Sequence, residues 1–143
     1  MQRSFRREIR SLEEIFLFLD RLMDVHGADP GHAYVIRLAV EEMFTNMVKY
    51  NRGGDPEVIL RCECNGKACI VTLVDCGGVP FDVTRAEEVD TSASLDERPV
   101  GGLGIHLVRR LVDDLRYECS GRCGTITIVK NLEDPHVHDH RQR

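Results

Sequence analysis

Apolar positions along the chain change period several times, and each change marks an element. From Leu12 the apolar residues Leu12, Ile15, Phe16, Leu19, Leu22 and Met23 follow a helical spacing up to Gly27. Ser11-x-x-Glu14 ahead of them has the form of a capping box. Asp29-Pro30 then predicts an N-cap with proline at the first helical position. The helix that follows runs to about Tyr50, with Ile36, Ala39, Val40, Met43 and Met47 on one stripe. After a break at 51–56, Val58 to Cys64 and Lys67 to Val74 read as strands joined by the hairpin signal Asn65-Gly66. A turn-rich stretch, Asp75 to Asp82, leads into a long polar segment, Val83 to Val100, the length of a lid or of a disordered loop. A third helix is predicted from Ile105 to about Leu115, with Leu103, Leu107, Val108, Leu111 and Val112 apolar. Leu115 to Ser120 and Gly124 to Leu132 then form a hairpin around Gly121-Arg122. Gln2 to Ile9 reads as a first strand. Hairpins predominate and no βαβ repeat occurs. This gives an α+β, two-layer α/β sandwich: a mostly antiparallel, mixed sheet with helices on one face. The pattern closes at Leu132, so we expect one domain over 1–132 and a disordered tail over 133–143.

Composition narrows the classes. A chain of 143 residues with net charge −5 has no basic footprint for direct nucleic-acid binding. No apolar run reaches the roughly 20 residues of a membrane span, and the N-terminus lacks the apolar core of a signal peptide. A cytoplasmic protein with reduced thiols is expected. The six cysteines, Cys62, Cys64, Cys69, Cys76, Cys119 and Cys123, lack zinc-ribbon spacing and read first as small buried hydrophobes, ahead of a zinc site or disulfides. His136, His138 and His140 read as part of the solvated tail.

Three polar or glycine-rich islands interrupt the apolar pattern: Glu42 with Asn46, Asp75 with Gly77, and Gly101-Gly102-Leu103-Gly104. Glu42 and Asn46 are four apart, so they stack on one helix face about 40° apart, at the edge of the apolar stripe. Glu41 points away. Each island also has a plain structural explanation: Asn46 bonding a nearby loop backbone, Asp75 capping a turn, the glycines making a tight turn into a helix. Together they describe a nucleotide site. Backbone N–H groups of glycines at a helix N-terminus suit phosphates. An Asp at a strand end accepts from an exocyclic amine, and the glycine after it leaves room for a flat ring. An Asn supplies one oxygen to Mg²⁺, which takes its other ligands from water and phosphates. A carboxylate one turn away is a candidate general base.

These motifs resemble the GHKL (Bergerat-fold) ATPases, which include gyrase, histidine kinases and a group of bacterial anti-sigma-factor serine/threonine kinases. Glu42-x-x-x-Asn46 is similar to their N box, Asp75-x-Gly77 to the G1 box with Pro80-Phe81-Asp82 as its continuation, and Gly102-x-Gly104 to the G2 box. Gly124-Thr125 resembles the late threonine position. The resemblance implies ATP and Mg²⁺ as cofactors. Asn46 would ligate Mg²⁺, Asp75 and Gly77 would hold adenine, and Gly101, Gly102, Leu103, Gly104 and Thr125 would line the nucleotide. In the lid, Val100 stands where a basic residue often precedes the glycines. Arg98, two residues earlier, either substitutes for it or is a solvated charge. Tyr50 replaces a histidine found after the N box.

The free-standing size and Glu42 point within that superfamily to the small serine kinases. The implied activity is transfer of phosphate from ATP to a serine of a small antagonist protein, with Glu42 as base and a sigma factor as the second partner. Two alternatives stay open: a non-catalytic, nucleotide-gated binding module, and a detached histidine-kinase-like catalytic domain. The run Phe16-Leu17-Phe18-Leu19 gives the first helix a broad apolar face, which suits a homodimer.

Overall fold

The structure, a computed structural model, describes residues 1–50, 53–77, 82–84 and 104–133. Strand β1 (Gln2–Arg6) and a short 3₁₀ turn (Ile9–Ser11) precede helices α1 (Leu12–His26) and α2 (Pro30–Tyr50). Strands β2 (Glu57–Cys64) and β3 (Ala68–Cys76) follow, then α3 (Gly104–Leu111), β4 (Asp114–Ser120) and β5 (Cys123–Asn131). The sheet has five strands in the order β1-β2-β3-β5-β4, and every named pairing is antiparallel.

Strand alternation sorts side chains between the faces. On β3, Cys69, Val71, Leu73 and Asp75 are buried, whereas Ile70 on the opposite face is exposed. The buried face meets α2, which packs on β3 and β5 and is flanked by α1 and α3. The α+β two-layer sandwich with helices on one face therefore holds. The core runs through all five apolar residues of the α2 stripe, and Phe44, Ile105, Ile126 and Ile128 fill it further. On α1, Phe18 and Leu19 enter this core, and Phe18 meets Phe5 edge-on at 5.8 Å between centroids. Phe16 carries the Arg37 guanidinium 4.2 Å above its ring. Of the broad apolar run, Leu17 alone is exposed, at 59%.

Local signals are met where the chain's own geometry decides them. Gly27 takes the left-handed C-cap conformation at φ 66°. The Asp29 carboxylate accepts from the His32 N–H at 2.9 Å, as an N-cap does. The Asn65 side chain accepts from Lys67 N and Ala68 N in the hairpin turn.

Four expectations are corrected. Ser11 does not form a capping box: its hydroxyl donates to Arg6 O at 2.8 Å, tying the helix start to the end of β1. The third helix stops at Leu111, because Asp113 N donates to Val129 O and the chain passes into the β4–β5 ladder. Its buried side is Ile105 and Val108, whereas Leu107 is exposed. The cysteines are also not all reduced. Sheet register sets Cys64 opposite Cys69 and Cys76 opposite Cys123, with Cα separations of 4.1 and 4.0 Å, and both pairs are disulfides. Only Cys62 fits the reading as a small buried hydrophobe, its thiol pushed up to about 12 by burial. Cys119 is an exposed free thiol.

The tail histidines lie outside the described residues, as do Arg98 and most of the lid segment. Among the described residues, no helix is long and apolar enough to cross a membrane.

Candidate functional site

Helix α2 turns two polar side chains inward, as its pattern requires. Asn46 is buried to 1% exposure, and its amide Nδ2 donates to Val83 O at 3.3 Å. The expected bond from Asn46 to a loop backbone is thus present. It also orients the amide, since fixing Nδ2 on Val83 turns Oδ1 the other way. The segment it holds is clamped from the other side as well. Asp82 accepts from the Thr84 N–H and hydroxyl, and Arg109 of α3 donates to Thr84 O at 2.7 Å. The start of the lid segment is thereby tied to both α2 and α3.

Glu42, one turn before Asn46, is partly buried, and its Oε1 is buried without a hydrogen-bond partner. Its carboxyl lies above the usual carboxylate range. Burial is the main cause, the neighbouring Glu41 adds to it, and Lys49 opposes both. The side chain rests against Gly104, the first residue of α3. A Cβ there would run into the Glu42 carboxylate, so glycine at this position lets the carboxylate lie where it does. The N-box carboxylate and the last G2-box glycine are therefore in contact. Glu41 lies on the other side of α2, lining a groove with Tyr34, Arg37 and Leu38.

The second island closes at the end of β3. Asp75 is 6% exposed and pairs with Arg7, a residue absent from the sequence reading. Gly77 bridges Gly54 and has φ 81°, a left-handed conformation that favours glycine. A Cβ on Gly77 would come within 2.8 Å of Asp55 N. Backbone and space both demand glycine there.

Thr125 is not brought to this cluster. The register places it opposite Val74 and Glu118, on the sheet face away from Asp75. Gly124 sits opposite Asp75 instead, and a Cβ there would meet Tyr117 Oη at 2.9 Å. Burial raises the Tyr117 hydroxyl's pKa, with Cys119 and then the charges of Asp82 and Asp75 adding to it. Arg7 and Tyr117 are thus the site residues that sequence reasoning missed. No periodic pattern reports them, because the tertiary fold brings Arg7 to Asp75 and sets Tyr117 against Gly124, opposite Asp75. Arg98, Gly101, Gly102 and Leu103 lie outside the described residues.

The residues present suit a nucleotide on two observations: an orphaned buried carboxylate oxygen and an oriented amide oxygen. The chain matches the histidine kinase-like ATPase domain family over residues 5–130 and belongs to that family. Among solved structures it is similar to the histidine kinase domain of the blue-light-activated histidine kinase of Erythrobacter litoralis EL346. That match has 18% identity and TM-score 0.55, and covers 94% of this chain but 65% of that one. It is also similar to a chain of the SiaB–SiaC complex from Pseudomonas aeruginosa (16% identity, TM-score 0.57, 92% and 88% covered). A third is the Acinetobacter baumannii histidine kinase AdeS (15% identity, TM-score 0.50, 94% and 68% covered). At these identities the likeness carries the fold. No curated protein matches the chain.

Proposed function

We propose that the chain is an ATP-dependent protein serine kinase of the partner-switching type, which binds a sigma factor and phosphorylates a serine on a small antagonist protein. The observation that carries this reading is Glu42: a partly buried carboxylate of raised pKa, with an unpartnered oxygen, seated at the first residue of α3. A general base is helped by that combination, a proton affinity raised by burial and a lone pair not already spent. A neighbour solved as a two-protein complex is in keeping with a protein substrate.

In this reading the partner's serine oxygen bonds to the γ-phosphorus of ATP as the bond from that phosphorus to the bridging oxygen breaks. ADP leaves, and the hydroxyl proton passes to Glu42. Asp75 accepts from the exocyclic amine of adenine, and Gly77 gives room for the ring. Phosphate binding would fall to Gly104 with Arg98, Gly101, Gly102 and Leu103. Asn46 Oδ1 would hold Mg²⁺, which when bound neutralises charge on the phosphate oxygens. Thr125, turned to the other face, takes no part. Self-association through α1 belongs to the same proposal, with Leu17 as the exposed apolar contact.

The reading is tested by adding ATP and Mg²⁺ to the chain with the proteins that co-purify with it. A small partner should acquire phosphoserine with the wild type and not with Glu42→Gln, while calorimetry shows that both bind ATP. Partner release on ATP without phosphoserine would replace the kinase with a nucleotide-gated binding module. An acid-labile product would replace it with a histidine-directed enzyme.

A further inference from the structure

Arg7 belongs to no motif along the chain, yet its side chain is only 10% exposed. It follows directly on β1, and its backbone N–H donates to Pro56 O at 2.8 Å. Its guanidinium reaches the end of β3. Nε donates to Asp55 O at 2.9 Å, Nη2 pairs with Asp75 Oδ1, and Nη1 is buried without a partner. A buried donor with no acceptor is costly, so packing alone does not account for an arginine here. Gly54 makes room for it, since a Cβ there would come within 2.9 Å of both Arg7 Nη2 and Cys76 O. Three segments therefore meet at one guanidinium: the residue after β1, the approach to β2 through Gly54 and Asp55, and the end of β3.

We infer that Arg7 is a positioning residue for base selection, which holds Asp75 as an oriented acceptor so that the site takes a 6-amino purine and rejects a 6-oxo purine. The inference rests on the nucleotide reading above, in which Asp75 faces the base. A guanidinium only donates, so the Asp75 oxygen that meets it is an acceptor. A carboxylate has about four acceptor positions, so pairing with Arg7 does not exhaust it. A 6-amino group donates into such a carboxylate. A 6-oxo group sets lone pair against lone pair and leaves the acceptor unmet. A carboxylate free to turn away would discriminate less. Lysine at position 7 has no planar fork with which to hold Asp55 O and Asp75 together.

Equilibrium binding of ATP and inosine triphosphate to the wild type and to Arg7→Lys tests this. The wild type should prefer ATP by about 100-fold, the worth of one hydrogen bond to a charged acceptor. In Arg7→Lys, ATP should bind about tenfold more weakly while inosine triphosphate changes less than about threefold. The wild type supplies a second readout that does not depend on the variant's folding. The ¹⁵Nε resonance of Arg7 should move on saturation with ATP and stay in place on saturation with inosine triphosphate. Equal loss of both nucleotides, an unchanged preference, or a resonance indifferent to ATP would overturn the inference. If the wild type transfers phosphate from ATP and any of these holds, the inference alone falls. If the wild type binds neither nucleotide, the kinase reading falls with it.

Discussion

Glu42 is under two opposed demands. Ionised, it can take a proton from a substrate, but burial opposes the charge and raises its pKa. A group whose folded-state pKa is raised favours folding fully below its unfolded pKa, and that contribution is lost as pH rises through the folded value. Above that raised pKa the ionised carboxylate is therefore a cost. Glu42→Gln should raise the melting temperature at neutral pH by a few degrees, the gain shrinking as the pH is lowered through Glu42's raised pKa. Phosphotransfer should show the same group from the other side, falling in the wild type as acid protonates Glu42. Asn46→Ala removes the bond to Val83 O and should lower unfolding free energy by about 1 kcal/mol in denaturant titrations. It should also weaken the Mg²⁺ dependence of ATP binding. Thr125→Val should leave nucleotide affinity unchanged, since the residue lies on the far face. Glu42 and Asn46 were legible because helical periodicity fixes the side from which a residue leaves α2. Arg7 and Tyr117 were not, because no local period tells which residue of a distant strand ends beside Asp75.

The place of the Glu42 carboxylate against α3 rests on a single missing Cβ. Gly104→Ala should be tolerated by α3 itself, alanine being better than glycine in a helix by about 1 kcal/mol. It should nonetheless displace the Glu42 carboxylate, which lies where the new methyl would be. Circular dichroism should show an intact fold while phosphotransfer falls by about tenfold or more, since a misplaced base loses most of its effect. Other features of the elements divide by the range of the force that sets them. Gly27, Asp29 and Asn65 act within a few residues, and their caps and turn could be read from the sequence. The end of α3 is set by pairing with β5, and the Ser11 hydroxyl is taken by the end of β1. Both are tertiary contacts that override a local signal.

Across the whole molecule, hairpin spacing and a one-sided apolar pattern were enough to give the layered α+β architecture. They could not give the partnership of β3 with β5, which joins segments separated by the lid and α3. The same gap hid the Cys76–Cys123 disulfide, whose pairing requires the β3–β5 register, whereas Cys64–Cys69 spans the hairpin at Asn65-Gly66. The Cys76–Cys123 bond closes a sequence separation of 47, against 5 for Cys64–Cys69. Restricting the unfolded chain in this way is worth about 4 and about 2 kcal/mol respectively. Replacing Cys76 and Cys123 by serine should therefore lower the denaturant midpoint more than replacing Cys64 and Cys69. The central claim, that this fold carries a serine kinase with Glu42 as its base, is tested most directly by transfer of ³²P from γ-labelled ATP to a co-purifying partner, with wild type and Glu42→Gln side by side. An acid-stable product should form about 100-fold faster with the wild type. Equal rates in the two proteins, an acid-labile product, or no transfer to any partner would contradict it.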